Sequence, residues 1–335
     1  MNNRVSLKDI AKKVGVSTAL VSYVLNGLEK EKRVGEKVVI RIREAARELN
    51  YQPNQIARSL RRGSTKTIGL IVFDISNPFS GQIARVIEDE AVKNGFTVIF
   101  GSSDENKHKS EALIDTFLYR QVDGFIIAPV EGTENQIAGL VKKGIPVVLI
   151  DRYFPKINVS HVILDNFKAT FDATSHLVQR GYKKITMVAW LTASTHQQDR
   201  ISGYLEAMRR YNLQDEINVI EVPHSFSKME TESYIEMKLI EMTDMDALIF
   251  ATNSLTLAGL YCINRLGKKV PQELGVVGFD GSEAFDFFYA PLSYVEQPLI
   301  EIGTKAASIL IGLINGEKEI VHQIVNPMLN IRSSS

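Results

Sequence analysis

The sequence predicts a small all-α head, joined by a short connecting segment to an α/β body of two Rossmann-like lobes with parallel sheets. Three observations lead there. The first sixty-odd of the 335 residues read as short helical stretches punctuated by Gly, Asn and Pro. Charge divides at the same place: residues 1–66 hold fifteen Lys or Arg against six Asp or Glu, and the remainder holds 24 against 33. A head of about +9 thus precedes a body of about −9, an asymmetry typical of a basic nucleic-acid-binding module on an acidic partner segment. From Thr67 onward, short apolar runs alternate with amphipathic segments, as parallel sheets covered by helices on both faces require.

Within the head, Ser6 precedes LKDIAKKV, whose Leu7, Ile10, Ala11 and Val14 share one face. Ser is a favoured N-cap and Asp9 suits the first turn of a helix. Gly15 then supplies the tight turn between two steeply crossing helices. Ser17 caps a second helix, TALVSYVLN, in which Leu20, Val21 and Val24 pack inward and Thr18, Ala19, Ser22 and Tyr23 face outward. Helix-turn-helix proteins read bases with side chains at the start of such a helix. A charged loop leads to a third helix, EKVVIRIREAARELN, with an apolar stripe of Val38, Ile42, Ala45, Ala46 and Leu49. Its Arg41, Arg43 and Arg47 suit phosphate contact or a solvated face. Pro53 and Asn54 are start signals for one more helix.

LKDIAKKVGVSTALVSYVLNG followed by ELNYQPNQIARSLRRG strongly resembles the lactose-repressor (LacI/GalR) family of bacterial transcription regulators. The resemblance continues through the body, which is similar to a ribose-type (type I) periplasmic sugar-binding protein. It implies a DNA-binding set of Ser6, Leu7, Ser17, Thr18, Ala19, Ser22, Tyr23 and Asn26 in the head, with Asn54, Ala57, Arg58 and Leu60 in the hinge. Leu60 is the implied wedge in the minor groove, where an apolar side chain unstacks a base step and kinks the duplex. Two departures touch the operator sequence: the loop after the second helix is longer than usual, and Tyr23 stands where many members carry a base-contacting Arg. The implied domains are 1–50 (DNA-binding head), 51–66 (hinge helix and linker) and 67–335 (effector binding and dimerisation). In the last, roughly 67–164 with 297–325 form one lobe and 165–296 with 326–335 the other.

In the body, IGLIVF, FTVIFG, GFIIAPV and PVVLID are the first series of strands, and ITMVAW, NVIEV, ALIFAT and LGVVGFD the second. After Gln297 comes an amphipathic helix ending at Gly316, and VHQIVNPMLNIRSSS is expected to finish the second lobe with a strand. Open α/β sheets bind ligands at the carboxyl ends of their strands. Those ends here carry Asn77 and Phe79, Asp151 and Arg152, Arg200, Asn253, Asp280 and Gln297. Carboxylates, amides and guanidinium groups around one aromatic ring suit the paired hydroxyls and apolar face of a sugar. The family resemblance implies the same eight positions as sugar contacts. Ser80 replaces a common second aromatic, and Phe226 is the candidate to cover the remaining sugar face. Asp151 and Asp280 would repel an anion, which favours a neutral sugar.

Other chemistry finds no support. The single Cys262 excludes a disulfide framework and multi-thiolate metal sites, and its apolar surroundings suggest a buried inert thiol. His108, His161, His176, His196, His224 and His322 show no metal spacing, and no Gly-x-Ser-x-Gly elbow, Gly-x-Gly-x-x-Gly or Walker motif occurs. Neither an enzyme nor a cofactor is expected. No apolar signal follows Met1 and no run approaches a membrane span, so a cytoplasmic location is expected. The implied partners are pseudo-palindromic operator duplex, a small sugar and a second copy of the chain, since paired heads fit paired half-sites. The competing readings are a sugar-binding or sugar-processing protein whose head never touches DNA, and the same regulator with a purine-type effector.

Overall fold

A computed structural model describes residues 5–51 and 63–335, which fall into two compact units, one up to Thr65 and one from Lys66. The head contains α1 (Leu7–Val14), α2 (Thr18–Leu25) and α3 (Glu36–Glu48). Asp9 accepts from both the backbone N–H (2.8 Å) and the hydroxyl (2.7 Å) of Ser6, which fixes the start of α1. Gly15 turns the chain with φ 75°, a conformation that costs glycine little. The core joins Ile10 and Val14, Val21 and Val24, and Val39, Ile42, Ala45 and Ala46. In α3 the buried register is therefore one residue off the expectation: Val39 is inside, while Val38 and Leu49 only flank the cluster. Two of the three expected phosphate candidates are used within the head. Arg41 donates to the Val14 carbonyl at 2.7 Å, closing the end of α1, and Arg43 pairs with Glu29 at 2.7 Å.

The body holds two six-stranded sheets. In chain order its elements begin with β1 (Thr67–Val72), α4 (Pro78–Lys93), β2 (Thr97–Ser102), α5 (Lys107–Tyr119), β3 (Gly124–Ile127), α6 (Glu134–Lys142), β4 (Val147–Ile150) and β5 (Ser160–Leu164). There follow α7 (Asn166–Gln179), β6 (Ile185–Leu191), α8 (Thr195–Arg210), β7 (Asn218–Pro223), α9 (Lys228–Glu241), β8 (Ala247–Phe250), α10 (Asn253–Arg265) and β9 (Gly275–Phe279). The last are α11 (Glu283–Phe287), β10 (Ser293–Glu296), α12 (Leu299–Ile314), β11 (His322–Val325) and β12 (Met328–Asn330). The first sheet runs β11-β5-β4-β3-β1-β2 and the second β12-β10-β9-β8-β6-β7. All pairings are parallel except β10 with β12. Strands such as VVLI and ALIF are buried on every residue, because helices cover both faces.

Side chains at the strand ends start the helices. Asn77 accepts from Phe79 N–H at 3.0 Å with Pro78 in the first helical position, Asp165 caps α7, and Thr252 caps α10. The chain crosses between lobes after β5, after β10 and after β11. Helix α12 returns to the first lobe, where Ile302, Ala306 and Leu310 join Ile83 and Ile87 of α4. The final segment departs from expectation: it makes two strands, β11 beside β5 in the first sheet and β12 beside β10 in the second. Strand β5 also lies outside the predicted series. The stretch joining it to β4 contains no helix, so the strand–helix alternation that exposes the others is missing there.

Helices α7 and α8 are in close contact at Gly203, where a Cβ would overlap the Phe167 carbonyl and the Thr170 hydroxyl. Gly203→Ala is expected to destabilise the body by about 1–3 kcal/mol in urea unfolding. Gly81→Ala, whose Cβ would meet nothing within 4 Å, is expected to be neutral or slightly stabilising. Equal effects from the two would refute the close packing.

Candidate functional site

The carboxyl ends of both sheets open on a cleft of about 740 Å³. From the first lobe, Asn77 and Phe79 follow β1, Glu105 follows β2, and Asp151 and Arg152 follow β4. From the second, Arg200 projects from α8, Phe226 follows β7, Asp280 follows β9 and Gln297 follows β10. Asp151 (φ 66°) and Asp280 (φ 59°) both take the left-handed backbone conformation immediately after a buried strand. Such backbone is uncommon for a residue with a Cβ and clusters at functional sites.

Arg200 is 2% exposed. Its Nε donates to Asn166 Oδ1 at 2.8 Å, its Nη1 donates to the Ala251 carbonyl at 2.6 Å, and the guanidinium lies 3.7 Å from the Phe279 ring centroid. Burial lowers its pKa, and the carboxylates of Asp280 and Asp151 oppose that shift. Asp280 accepts from Gln297 Nε2 at 2.9 Å. Burial pushes its carboxyl up to about 6, against the pull of Arg200. Burial raises Asp151 as well, with Arg152 and Arg200 opposing. Arg152 donates to both Glu105 oxygens (2.5 and 2.8 Å) and to Asp151 (3.1 Å), a bidentate arrangement that consumes its charge. Two guanidinium groups thus face three carboxylates, and the cluster has no cationic surplus for a phosphate.

Buried polar atoms also stand unpartnered. Among the described residues, His196 Nδ1, both amide atoms of Gln197 and Gln297 Oε1 have no hydrogen bond. Burial holds His196 well below its ordinary pKa, so it is a neutral ring at pH 7. An unsatisfied buried polar group costs about 1–3 kcal/mol, which a ligand bearing both donors and acceptors would recover.

Eight of the nine predicted effector positions line this cleft: Asn77, Phe79, Asp151, Arg152, Arg200, Phe226, Asp280 and Gln297. Phe79 is mostly buried and stacks on Phe73 (5.8 Å between centroids), so it serves the core as well. Asn253 departs from expectation. Its amide donates to the Asp280 carbonyl at 2.9 Å and lines an adjoining hollow of about 260 Å³ instead. Thr252 and Ser254, on either side of it, reach the main cleft. Sequence reasoning missed Glu105, Trp190, His196, Gln197, His224 and Tyr261 as lining residues. Trp190, at the end of ITMVAW, was the one with a legible signal.

In the head, Ser17 accepts from Leu20 N–H at 3.2 Å, and Thr18 and Ala19 are exposed at the start of α2. Ser22 and Tyr23 are half-buried. Asn26 donates to the Ser22 carbonyl (2.6 Å) and hydroxyl (3.2 Å), so its amide is engaged within the helix. Ser6 is exposed while tied to Asp9, and Leu7 packs against the core. Asn54, Ala57, Arg58 and Leu60 lie outside the described residues. Among the described residues no group of acidic, His and Cys side chains is placed to hold a metal, and no helix is long and apolar enough to cross a membrane. Cys262 is buried, its thiol 3.2 Å from the Glu232 carbonyl, and burial raises its pKa.

Residues 6–54 match the family model described as bacterial regulatory proteins, lacI family, and residues 174–335 match a periplasmic binding protein-like domain. The chain is 30% identical over 334 residues to the HTH-type transcriptional repressor PurR of Histophilus somni (strain 129Pt), covering 98% of each. It is 29% identical over 317 residues to the HTH-type transcriptional repressor CytR of Escherichia coli (strain K12), covering 93% of this chain and 90% of that one. In fold it is similar to the lac repressor dimer bound to operator and the anti-inducer ONPF, with a TM-score of 0.87 at 23% identity over 99% of both chains.

Because the folded state binds the Asp280 proton more tightly than the unfolded chain, whose carboxyl titrates near 3.8, folding is favoured at low pH. That advantage is lost as pH rises through the window between 3.8 and about 6. Asp280→Asn, which preserves an acceptor for Gln297, is expected to be about 1–2 kcal/mol more stable than the parent at pH 7.5. The gap should close toward pH 4.5 in urea titrations; a gap independent of pH would contradict the buried carboxylate.

Proposed function

This chain belongs to the lacI family of bacterial regulatory proteins, and on that premise we propose that it is a DNA-binding repressor whose hold on its operator is modulated by a small neutral sugar. The observation that carries the effector reading is the Asp151, Arg200 and Asp280 cluster, in which carboxylates from opposite lobes share one buried guanidinium. Neutral hydroxyls can pair bidentately with each of these groups, whereas a phosphate would meet surplus negative charge. The relatives named as HTH-type transcriptional repressors support the DNA reading, as does the +9 charge of residues 1–66.

In this reading residues 1–50 bind DNA, 51–66 form the hinge, and 67–335 bind the effector and dimerise. Thr18, Ala19, Ser22 and Tyr23 face the major groove, with Ser6, Leu7, Ser17 and Asn26 supporting the approach. Asn54, Ala57, Arg58 and Leu60 act in the minor groove. The protein acts in the cytoplasm, where its operator is. Sugar and operator are coupled because each favours a different arrangement of the lobes, and the effector shifts the balance by its differential affinity alone.

Arg200→Ala and Asp280→Ala should each abolish the thermal shift produced by the sugar, with operator affinity retained. Leu60→Ala should lower specific operator affinity by about 100-fold, as loss of an intercalating wedge worth a few kcal/mol implies, and leave sugar affinity intact. Gel-shift and calorimetric titrations read both effects. Failure to bind any duplex at low salt, or turnover of a glycoside, would overturn the regulator reading.

A further inference from the structure

The cleft extends well beyond its charged cluster. Asp280 and Gln297 follow β9 and β10, whereas Trp190 lies in β6 next to its final residue Leu191, and His224 and Phe226 follow β7, the far edge of the same sheet. Between β9 and β7 lie three strand spacings, about 14 Å. The far end is walled by rings from three segments. Trp190 and His224 meet edge-on at 5.2 Å, Phe226 leans on Tyr234 at 5.8 Å, and Tyr261 of α10 has the Lys228 ammonium 5.3 Å from its centroid. Tyr261 is 54% exposed and His224 is also exposed, although both line a concave site. Thr231 lines the same end, its hydroxyl buried and without a partner among the described residues.

We propose that this aromatic end is a second subsite and that the effector is a two-ring saccharide, a disaccharide or longer glycoside. One ring is held by Asp151, Arg200 and Asp280, and the next stacks against Trp190 and Tyr261. The inference rests on the sugar reading of the cluster and adds the size of the ligand. A pyranose offers an apolar C–H face to an aromatic wall and a rim of hydroxyls that both donate and accept. The polar groups here fit that rim: the Lys228 ammonium donates, and the Thr231 hydroxyl and the His224 ring each donate and accept. A nucleobase instead needs a coplanar donor–acceptor set along one edge, whereas these three residues come from the loop after β7 and from α9. Overall the cavity lies in the upper part of the range for small-molecule pockets, roughly 300–1,000 Å³, more than one pyranose requires.

Trp190 is the one tryptophan in the chain, so its emission reports directly on this compartment. The full chain is titrated with glucose, galactose and ribose, with cellobiose, maltose and lactose, and with cytidine and adenosine, by fluorescence and calorimetry. At least one disaccharide should bind about tenfold more tightly than either of its monosaccharides and alter Trp190 emission. Trp190→Ala should narrow that preference by about tenfold, and Trp190→Phe should restore most of it. If monosaccharides bind as tightly as every disaccharide and Trp190→Ala leaves the ratio unchanged, the second subsite falls while the sugar reading stands. If a nucleoside binds and no saccharide does, or if nothing binds, both fall.

Discussion

The buried guanidinium of Arg200 is the constraint on which the rest of the cleft depends. It joins α8 to α7 through Asn166, to the end of β8 through the Ala251 carbonyl, and to β9 through the face of Phe279. The Arg200 carbonyl accepts from the Thr170 hydroxyl at 2.5 Å, and the absent side chain of Gly203 lets the two helices come that close. A buried cation is tolerable only where hydrogen bonds and opposite charge replace its hydration. Asp280 of its own lobe and Asp151 of the other supply that charge. The polar centre of the cleft is therefore also a structural joint, and it is incomplete in either lobe alone.

Around this joint the cationic charges are matched within the protein while the hydrogen bonds are not. Glu105 and Asp151 engage all three nitrogens of Arg152, yet His196, Gln197 and Gln297 retain unpartnered atoms. Surplus hydrogen-bonding capacity without a cationic surplus selects for hydroxyl-rich neutral ligands. The left-handed backbone at Asp151 and Asp280 fits the same picture, since both carboxyls are aimed by the turn that ends a buried strand.

Much of this was legible because parallel sheets impose a simple rule. Fully apolar runs mark the strands, and the residues just after them face the cleft, which located Asp151, Asp280 and Gln297 from position alone. Where a strand passes directly into a helix, the rule loses its phase. Asn253 and Thr252 differ by one residue, about 100° of helix, and the capping Thr252 is the one that reaches the cleft. The same one-residue ambiguity separates Val38 from Val39 in α3. Glu105 was hidden because its role arises only through Arg152, 47 residues away in the chain. His224 and Tyr261 join Trp190 only once β6, β7 and α10 are assembled, and no local pattern announces those two.

Operator and sugar are thus expected to act on one molecule through separate units, and thermodynamics requires any coupling between them to be reciprocal. The most direct measurement is a pair of titrations on the full chain: operator affinity with and without saturating sugar, and sugar affinity with and without saturating operator. The account predicts that sugar weakens operator binding and that operator weakens sugar binding by the same factor. Two affinities that ignore each other would contradict it, even with both ligands bound.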